Sequence, residues 1–344
     1  MQARKLYRVA AAALLVSVWG WTTARSMSND AGPPDVSPMP PPAAPGGPPL
    51  PTGANPLAAA QSAGEQAVRS WVPALGTGAP DWLKRTEVTG SYGRGTKPEY
   101  SILTVQPLYQ SDGKRDTIFF QGSQLHYSLF GDARNTSNLG VGYRRLLLDD
   151  TLLLGGNSFY DREWTYGHTR AGFGVEAMWQ MLDFHANQYT PLTRDKTVAD
   201  GTVERAMRGW DSELRSQIPY LPWASVGLQR YVWTGDYSSI RGWAYTVDMD
   251  LTPNLSMELG SRTAALPGTD GGSSAAANVF AQITFHFGDN GRPAASRELI
   301  ADAAFDTSRD LTAHTLDKVR RENRIIAERS VRVNGISVVV GRSG

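Results

Sequence analysis

Between Trp82 and Gly288 apolar and polar residues alternate with a period of two, segment after segment, and the apolar set is rich in aromatic and β-branched side chains. Leu139, Val141 and Tyr143 alternate with Asn138, Gly140, Gly142 and Arg144; Ala171, Phe173, Val175, Ala177 and Trp179 alternate with Gly172, Gly174, Glu176 and Met178. The same rhythm returns in Trp243 to Leu251 and in Val279 to Phe287. Helical spacing fits none of these runs. Twelve segments are read: 84–96, 100–109, 116–129, 135–148, 151–161, 168–179, 182–190, 203–217, 221–233, 241–250, 255–264 and 276–287. Each can cross a bilayer as a tilted strand of ~9–11 residues.

The connections argue topology. Tight turns such as Asp149-Asp150, Gln180-Met181 and Thr252-Pro253-Asn254 alternate with longer polar loops such as 193–202, 234–240 and 265–275. Short turns at one end and long loops at the other are the pattern of an outer-membrane barrel, whereas a soluble sandwich has shorter strands and no such asymmetry. The face opposite the apolar one carries Gly, Asp, Glu, Arg, Gln and Asn, which a wet lumen can satisfy and a dry core cannot. The expected fold is therefore all-β, a twelve-stranded antiparallel transmembrane outer-membrane β-barrel. Phe285 and Phe287 close its last strand as the aromatic-terminated assembly signal of such barrels does. An even number of strands brings the chain back to its starting end. From there the tail, with Leu299, Ala303, Leu311, Thr315 and Val319 at helical spacing, predicts a C-terminal helical linker over 296–319 lying in the pore.

Ahead of the barrel, Arg4, Lys5 and Arg8 precede an apolar run from Val9 to Trp19, and Thr22-Thr23-Ala24 offers a cleavage site, so residues 1–24 read as a secretory signal peptide. Residues 25–81 read as a Pro/Ala-rich periplasmic linker with a weak helix at Leu57–Trp71. Prolines crowd into 33–56, including Pro40-Pro41-Pro42, a composition that builds no core.

Composition narrows the function classes. The chain has no cysteine, which excludes disulfides, thiolate metal sites and a thiol nucleophile. Its net charge is +1, from 34 basic and 33 acidic residues, so nothing points to nucleic acid. With 10 Trp and 13 Tyr it is rich in amphipathic rings, yet its mean hydropathy is −0.34. Tyr109, Tyr143, Trp164, Trp179, Tyr220, Trp223, Trp233 and Trp243 are the expected interfacial girdles. No catalytic residue is assigned: His126, His168, His185, His286 and His314 are scattered, and no catalytic serine-histidine or H-E-x-x-H spacing is read around them. Asp161, Glu176, Asp211, Glu213, Asp248 and Glu258 are expected to face the lumen, paired with Arg144, Arg215, Arg230 and Arg262. Their spread over separate strands defines no metal site, and no cofactor is expected.

Asn138-Leu-Gly-Val-Gly-Tyr-Arg144, Gly156-Asn-Ser-Phe-Tyr-Asp161, His168 to Glu176, Arg208-Gly-Trp-Asp-Ser-Glu-Leu-Arg215, Tyr220-Leu-Pro222 and Asp250-Leu-Thr-Pro-Asn254 resemble, in order, the β-domain of the intimin and invasin family of inverse autotransporters. The motif positions are Asn138, Gly140, Gly142, Tyr143, Arg144, Asn157, Phe159, Tyr160, Asp161, Gly172, Gly174, Glu176, Gly209, Asp211, Pro222 and Pro253. The resemblance implies a barrel at 82–288 in the Gram-negative outer membrane, a pore-threading linker at 289–330 and a tip at 331–344 displayed at the surface and linked to adhesion. The expected partners are outer-membrane lipids, the barrel assembly machinery, periplasmic chaperones and an unidentified receptor. Members carry immunoglobulin-like or lectin-like domains after the linker. Here only a short tip is expected, with Asn334-Gly335 as its hairpin turn and no adhesin passenger. The other readings are a plugged pore or structural outer-membrane protein and a lipid-modifying barrel enzyme, the last requiring an outward Ser and His on neighbouring strands.

Overall fold

The structure, a computed structural model, describes residues 80–93, 97–198, 201–236, 238–264, 278–305, 309–333 and 336–339. The expected signal peptide, Pro-rich linker and Leu57–Trp71 helix lie outside the described residues. A short helix α1 (Asp81–Lys84) leads into β1 (Thr86–Gly93), β2 (Glu99–Gln110), β3 (Asp116–Leu129), β4 (Asp132–Leu147), β5 (Leu152–Glu163), β6 (Thr169–Trp179) and β7 (Leu182–Pro191). Next come β8 (Lys196–Thr197), β9 (Val203–Ala206), β10 (Arg208–Ile218), β11 (Leu221–Thr234), β12 (Ser239–Thr252), β13 (Leu255–Arg262) and β14 (Asn278–His286). The tail holds β15 (Ala327–Val333) and β16 (Ile336–Val339). Strands β1–β7 and β10–β14 form a closed twelve-stranded antiparallel barrel, and β16, β15, β9 and β8 form a second sheet. Closure is by β1 on β14, with Glu87 opposite His286 and Gly93 opposite Phe280.

Period-two alternation sorts the side chains as expected. Leu139, Val141, Phe173 and Val175 are about half exposed on the outer face, while Asn138, Arg144, Arg170 and Glu176 are buried inside. Glycines on the inner face make room for rings from the next strand. A Cβ at Gly142 would lie 2.3 Å from the Phe119 ring, and one at Gly140 would lie 2.4 Å from Phe159. Long inward side chains can therefore cross the lumen without crowding the strands.

Three expectations are corrected. The segment 203–217 is not one strand. Ala206 and Met207 are both buried, so the alternation slips by one residue, and the chain divides there into β9, outside the barrel, and β10, within it. Met207 also donates its backbone N–H to Ile326 in the tail, at 2.8 Å, rather than to a barrel neighbour. Second, the long-loop end carries one two-residue hairpin: Phe130 and Gly131, at φ 54° and 81°, join β3 to β4 with the left-handed pair that a type I′ turn requires.

Third, 296–319 is not an α-helix; among its described residues only a 3₁₀ turn at Leu311–His314 is helical. Apart from a local turn in which Glu298 N–H bonds back to Ala294 O, key backbone donors there go to the barrel. Ser296 N–H bonds to Leu251 O (3.0 Å), Ala301 N–H to Tyr220 O (2.9 Å) and Leu311 N–H to Asp150 O (3.0 Å). Extended chain also reaches farther, ~3.3 Å per residue against 1.5 Å in a helix, so 315–327 alone spans ~40 Å.

Candidate functional site

The tail runs along the short-turn rim and then through the lumen. It bonds in turn to the β12–β13 turn (Asn290 N–H to Pro253 O, 3.2 Å), the β10–β11 turn (Tyr220 N–H to Ala304 O, 2.9 Å), the β6–β7 turn (Arg309 Nη1 to Gln180 O, 3.1 Å) and the β4–β5 turn (Leu311 N–H to Asp150 O). From Leu311 it enters the barrel. Each of the four buried apolar clusters contains one tail residue: Leu311 with Leu146, Leu153 and Met178; Val319 with Leu103, Val105, Phe119 and Phe159; Ile326 with Tyr189, Met207, Tyr231 and Trp233; Ala327 with Tyr127 and Leu129.

An extended segment has no internal hydrogen bonds, and lumen side chains supply them. Arg144 Nη1 donates to Thr315 O (3.0 Å) and Asp317 O (2.6 Å), Asn187 to Arg320 O (2.9 Å) and Asn138 to Asn323 O (3.0 Å). Arg170 donates to both Glu322 O (2.7 Å) and Arg324 O (2.9 Å). In the other direction, Val319 N–H donates to Gln121 Oε1 and Glu322 N–H to Tyr189 Oη, both at 2.7 Å, and Ile325 N–H to Tyr127 Oη at 3.3 Å.

Tail side chains add ion pairs. Arg321 makes a two-pronged contact with Asp161 (2.8 and 2.7 Å), which also accepts from Arg170 Nε (2.8 Å) and Asn138 Nδ2 (2.8 Å). The Arg321 guanidinium lies 4.1 Å from the Phe159 ring centre, over the space Gly140 leaves open. Arg320 meets Asp248 (2.8 Å), Glu258 (3.5 Å) and Glu213 (3.7 Å), and Lys318 meets Glu87 (2.6 Å). On the β1 and β12–β14 side, cavities of about 480 and 260 Å³ flank this last group of ion pairs, both lined by Glu87, Glu258, Lys318 and Arg320.

At the long-loop end the tail leaves the lumen as β15 and pairs with β9, Ala327 opposite Ala206 and Arg329 opposite Glu204. Glu328 is clasped by the β11–β12 loop, accepting from Asp236 N–H (2.7 Å), Ser238 N–H (3.0 Å) and Ser238 Oγ (2.9 Å). Beside it, Glu204 meets Arg134 (2.7 Å), Arg329 (3.0 Å) and His168 Nε2 (3.1 Å). Burial alone would raise the Glu204 carboxyl. The adjacent His168, 3.1 Å away, and the Arg134 guanidinium override it and hold the group at about 2.

The motif residues divide by face. Asn138, Arg144 and Asp161 touch the tail, and Gly172 faces Arg321, 3.0 Å from where a Cβ would stand. Glu176 anchors Arg144 (2.6 Å), Asp211 accepts from Asn187 (2.8 Å) and Tyr189 (2.7 Å), and Asn157 packs beside Gly174. Gly209 lies under the Trp233 ring. Tyr143 and Tyr160 face outward, Pro222 borders the larger cavity, and Pro253 sits in the β12–β13 turn. Phe285 and Phe287 pack edge to face at 5.4 Å next to the closing seam.

Arg230 corrects the expected lumen pairing. It faces outward, donating to Gly242 O (3.1 Å) with its guanidinium 5.1 Å from the Trp243 ring. Arg262 is inward but rests on Phe280 (4.1 Å) rather than on a carboxylate, and Asp211 is held by an amide and a phenol. Trp233 is no girdle residue: it is buried and tilted against Tyr189 at 5.1 Å. The residues missed in the sequence were Arg170, Tyr189, Glu204 and Glu328. The inward phase of β6 and β7 marks the first two, whereas nothing in the sequence marks the loop contacts of the others.

The reading of the histidines also passed over one spacing. His126-Tyr127-Ser128 places a histidine and a serine on the outer face of β3, and His126 Nδ1 lies 2.9 Å from Asn135 Oδ1 on β4. Ser128 Oγ has no hydrogen-bond partner, so the base-to-nucleophile contact of a hydrolase is not formed. Among the described residues no three His, Asp or Glu side chains converge as a metal site requires.

A closed barrel with an apolar outer belt, filled by its own C-terminal segment, is an outer-membrane β-barrel. The family model for the inverse autotransporter β-domain matches residues 61–323, and the chain belongs to that family. It is 32% identical over 178 residues to the inverse autotransporter adhesin YeeJ of Escherichia coli K12, covering 48% of this chain and 7% of that protein. It is 30% identical over 144 residues to a putative attaching and effacing protein homolog of the same strain, covering 41% of this chain and 46% of that one. With the invasin of Yersinia enterocolitica it shares 27% identity over 184 residues, 52% of this chain and 20% of invasin. The match thus spans less than half the length of each of these relatives. A solved structure from a study of the in-meso crystallization of membrane proteins shares the fold, with a TM-score of 0.55 and 22% identity, covering 71% of this chain and 98% of that one. Fold and family support a location in the Gram-negative outer membrane.

Proposed function

We propose that the barrel exports and anchors its own C-terminal segment, holding 311–327 in the lumen as the final state of transit and presenting β15, β16 and whatever follows them at the cell surface. On this reading the long-loop end faces outward, and adhesion, as the printed names of the relatives suggest, belongs to the displayed segment and the outer loops. The observation that carries the proposal is the continuous set of hydrogen bonds from lumen side chains to the tail backbone between Thr315 and Ile325. A lumen that merely tolerated a plug would not need nine side-chain hydrogen bonds to the backbone of an eleven-residue extended segment. The backbone contacts, which act beside the ion pairs of Arg320, Arg321 and Lys318, also suit a channel through which varied sequence has passed.

An epitope tag placed after Gly344 tests this in intact Gram-negative cells, with heat-modifiable gel migration to verify the folded barrel. Labelling from outside is the expected result. Labelling only after the outer membrane is permeabilised, with the barrel folded, refutes surface display. It would leave the second reading, a plugged pore, which the two cavities beside Lys318 and Arg320 favour.

A further inference from the structure

We infer that the outer face of β10–β12 carries a binding site for the phosphate groups of an outer-leaflet glycolipid. Outward positions there form a grid fixed by register. Arg208 stands opposite Thr234, Trp210 opposite Val232 and Ser212 opposite Arg230 between β10 and β11; Thr234 opposite Ser239, Val232 opposite Arg241 and Arg230 opposite Trp243 continue it onto β12. Three arginines and two tryptophans thus share a patch three strands wide, with diagonal neighbours such as Arg230 and Arg241 about 7–8 Å apart at Cα. Toward the short-turn end the same face becomes mainly apolar, through Leu214, Leu228, Val226 and Tyr245, all exposed. The patch sits at the upper edge of the lipid-facing belt, and Trp210 and Trp243, each about 40% exposed, mark that edge.

What singles out the patch is its charge. Elsewhere at this end, most outward polar groups satisfy one another, His126 with Asn135 (2.9 Å), Ser137 with Gln124 (2.5 Å) and Trp164 Nε1 with Ser137 (2.8 Å), and Arg162, stacked on Trp164 at 4.5 Å, is a single cation where the patch gathers three. The arginines that seat the tail, Arg144 and Arg170 on the lumen wall and Arg320, Arg321 and Arg324 on the tail itself, are likewise ion-paired. Among the described residues, Arg208, Arg230 and Arg241 have no carboxylate within ion-pairing range, and no outward acidic residue occupies the grid. Arginines at the edge of the hydrocarbon reach the headgroup level at little cost, and a lipid phosphate that meets them there gains charge-assisted hydrogen bonds. Guanidinium forks match phosphate oxygens, and the flanking indoles offer apolar surface to the first carbons of acyl chains. A bis-phosphorylated, multiply acylated glycolipid fits both features at once. A single-phosphate phospholipid meets only part of the patch.

The outer-leaflet source rests on the orientation proposed above, so binding is measured where orientation plays no part. The full chain, purified in a zwitterionic detergent, is titrated with bis-phosphorylated lipid A, with its dephosphorylated form and with phosphatidylglycerol, and bound lipid is counted by native mass spectrometry. Lipid A is expected to bind at least tenfold more tightly than either control. An Arg208→Gln/Arg230→Gln/Arg241→Gln variant is expected to lose about 100-fold, roughly a factor of five per arginine. Heat-modifiable migration verifies folding, and the single Arg208→Gln and Arg241→Gln variants, each expected to lose about fivefold, serve if the triple variant fails to fold. Unchanged binding by a folded variant, or equal binding of phosphatidylglycerol, overturns the site. Separately, a Ser239→Cys thiol reached by an impermeant reagent only after permeabilisation would overturn the orientation, and with it the outer-leaflet source, while leaving the micelle result as it stands.

Discussion

Asp161 is where the hold on the tail can be tested most sharply. The carboxylate is fully buried and receives four charge-assisted or amide hydrogen bonds: two from Arg321 of the tail, one from Arg170 and one from Asn138. Asp161→Asn keeps the shape and removes the charge, leaving two buried guanidinium groups without their counter-ion. Breaking a buried pair in this way costs ~3–5 kcal/mol. Because Arg321 is freed only when the tail leaves its seat, part of that cost falls on the seated state. With ~1.4 kcal/mol per factor of ten, ~3 kcal/mol raises the open population about 100-fold. The chain has no cysteine, so a Ser330→Cys thiol, at a site that is buried in β15, reports opening without background. Labelling by an impermeant maleimide under conditions of fast reclosing follows the open fraction. Asp161→Asn is expected to speed that labelling by about 100-fold. In an Arg321→Gln background the same substitution is expected to add no more than about tenfold, because the tail cation is already gone. An acceleration below about threefold, or equal increments in the two backgrounds, would refute the claim that this pair seats the tail.

Further outcomes follow from other contacts. Glu204, in the connection beyond the barrel, is held at about 2 by His168 and Arg134 against an ordinary 4.5, so its stabilising effect is present above pH ~4.5 and is lost as pH falls toward 2. The thermal midpoint of the wild type, followed by circular dichroism, is expected to drop across that window by more than that of Glu204→Gln; parallel profiles would discount the cluster. Gly142→Ala places a Cβ 2.3 Å from the Phe119 ring, over which the Arg144 guanidinium lies at 4.4 Å, and is expected to cost ~1–3 kcal/mol in urea unfolding. A neutral result would mean that the ring moves freely. Ser128→Ala is expected to leave ester hydrolysis by the purified barrel at background, since Ser128 Oγ is not bonded to His126. A Ser128-dependent rate on a fluorogenic phospholipid would make that outer face a catalytic site.

The barrel was legible because alternation is a local code. A strand with lipid on one side and a wet lumen on the other must alternate, so residues such as Leu139, Asn138, Val141 and Arg144 declare their faces without any partner being known. Even Arg230 obeys that code: its even-numbered phase on β11, shared with Val226 and Leu228, places it outward, and only the expectation of a carboxylate partner put it inside. The slip at Ala206-Met207 was hidden because two strands of opposite phase abut without a turn residue between them.

The tail is the opposite case. Its apolar spacing at Leu299, Leu311 and Val319 suggests a helix when only local periodicity is weighed, since a helix satisfies its own backbone. In the folded protein Gln121, Tyr189, Asn138 and Arg170, drawn from four different strands, offer donors and acceptors at the spacing of an extended chain, and those contacts exist only once the barrel has closed. The sequence by itself determined which face of each strand meets lipid, because that depends on neighbours two residues apart. Only the tertiary structure decided the path and conformation of the segment inside, because the lumen partners of its backbone hydrogen bonds lie 130 to 200 residues away along the chain.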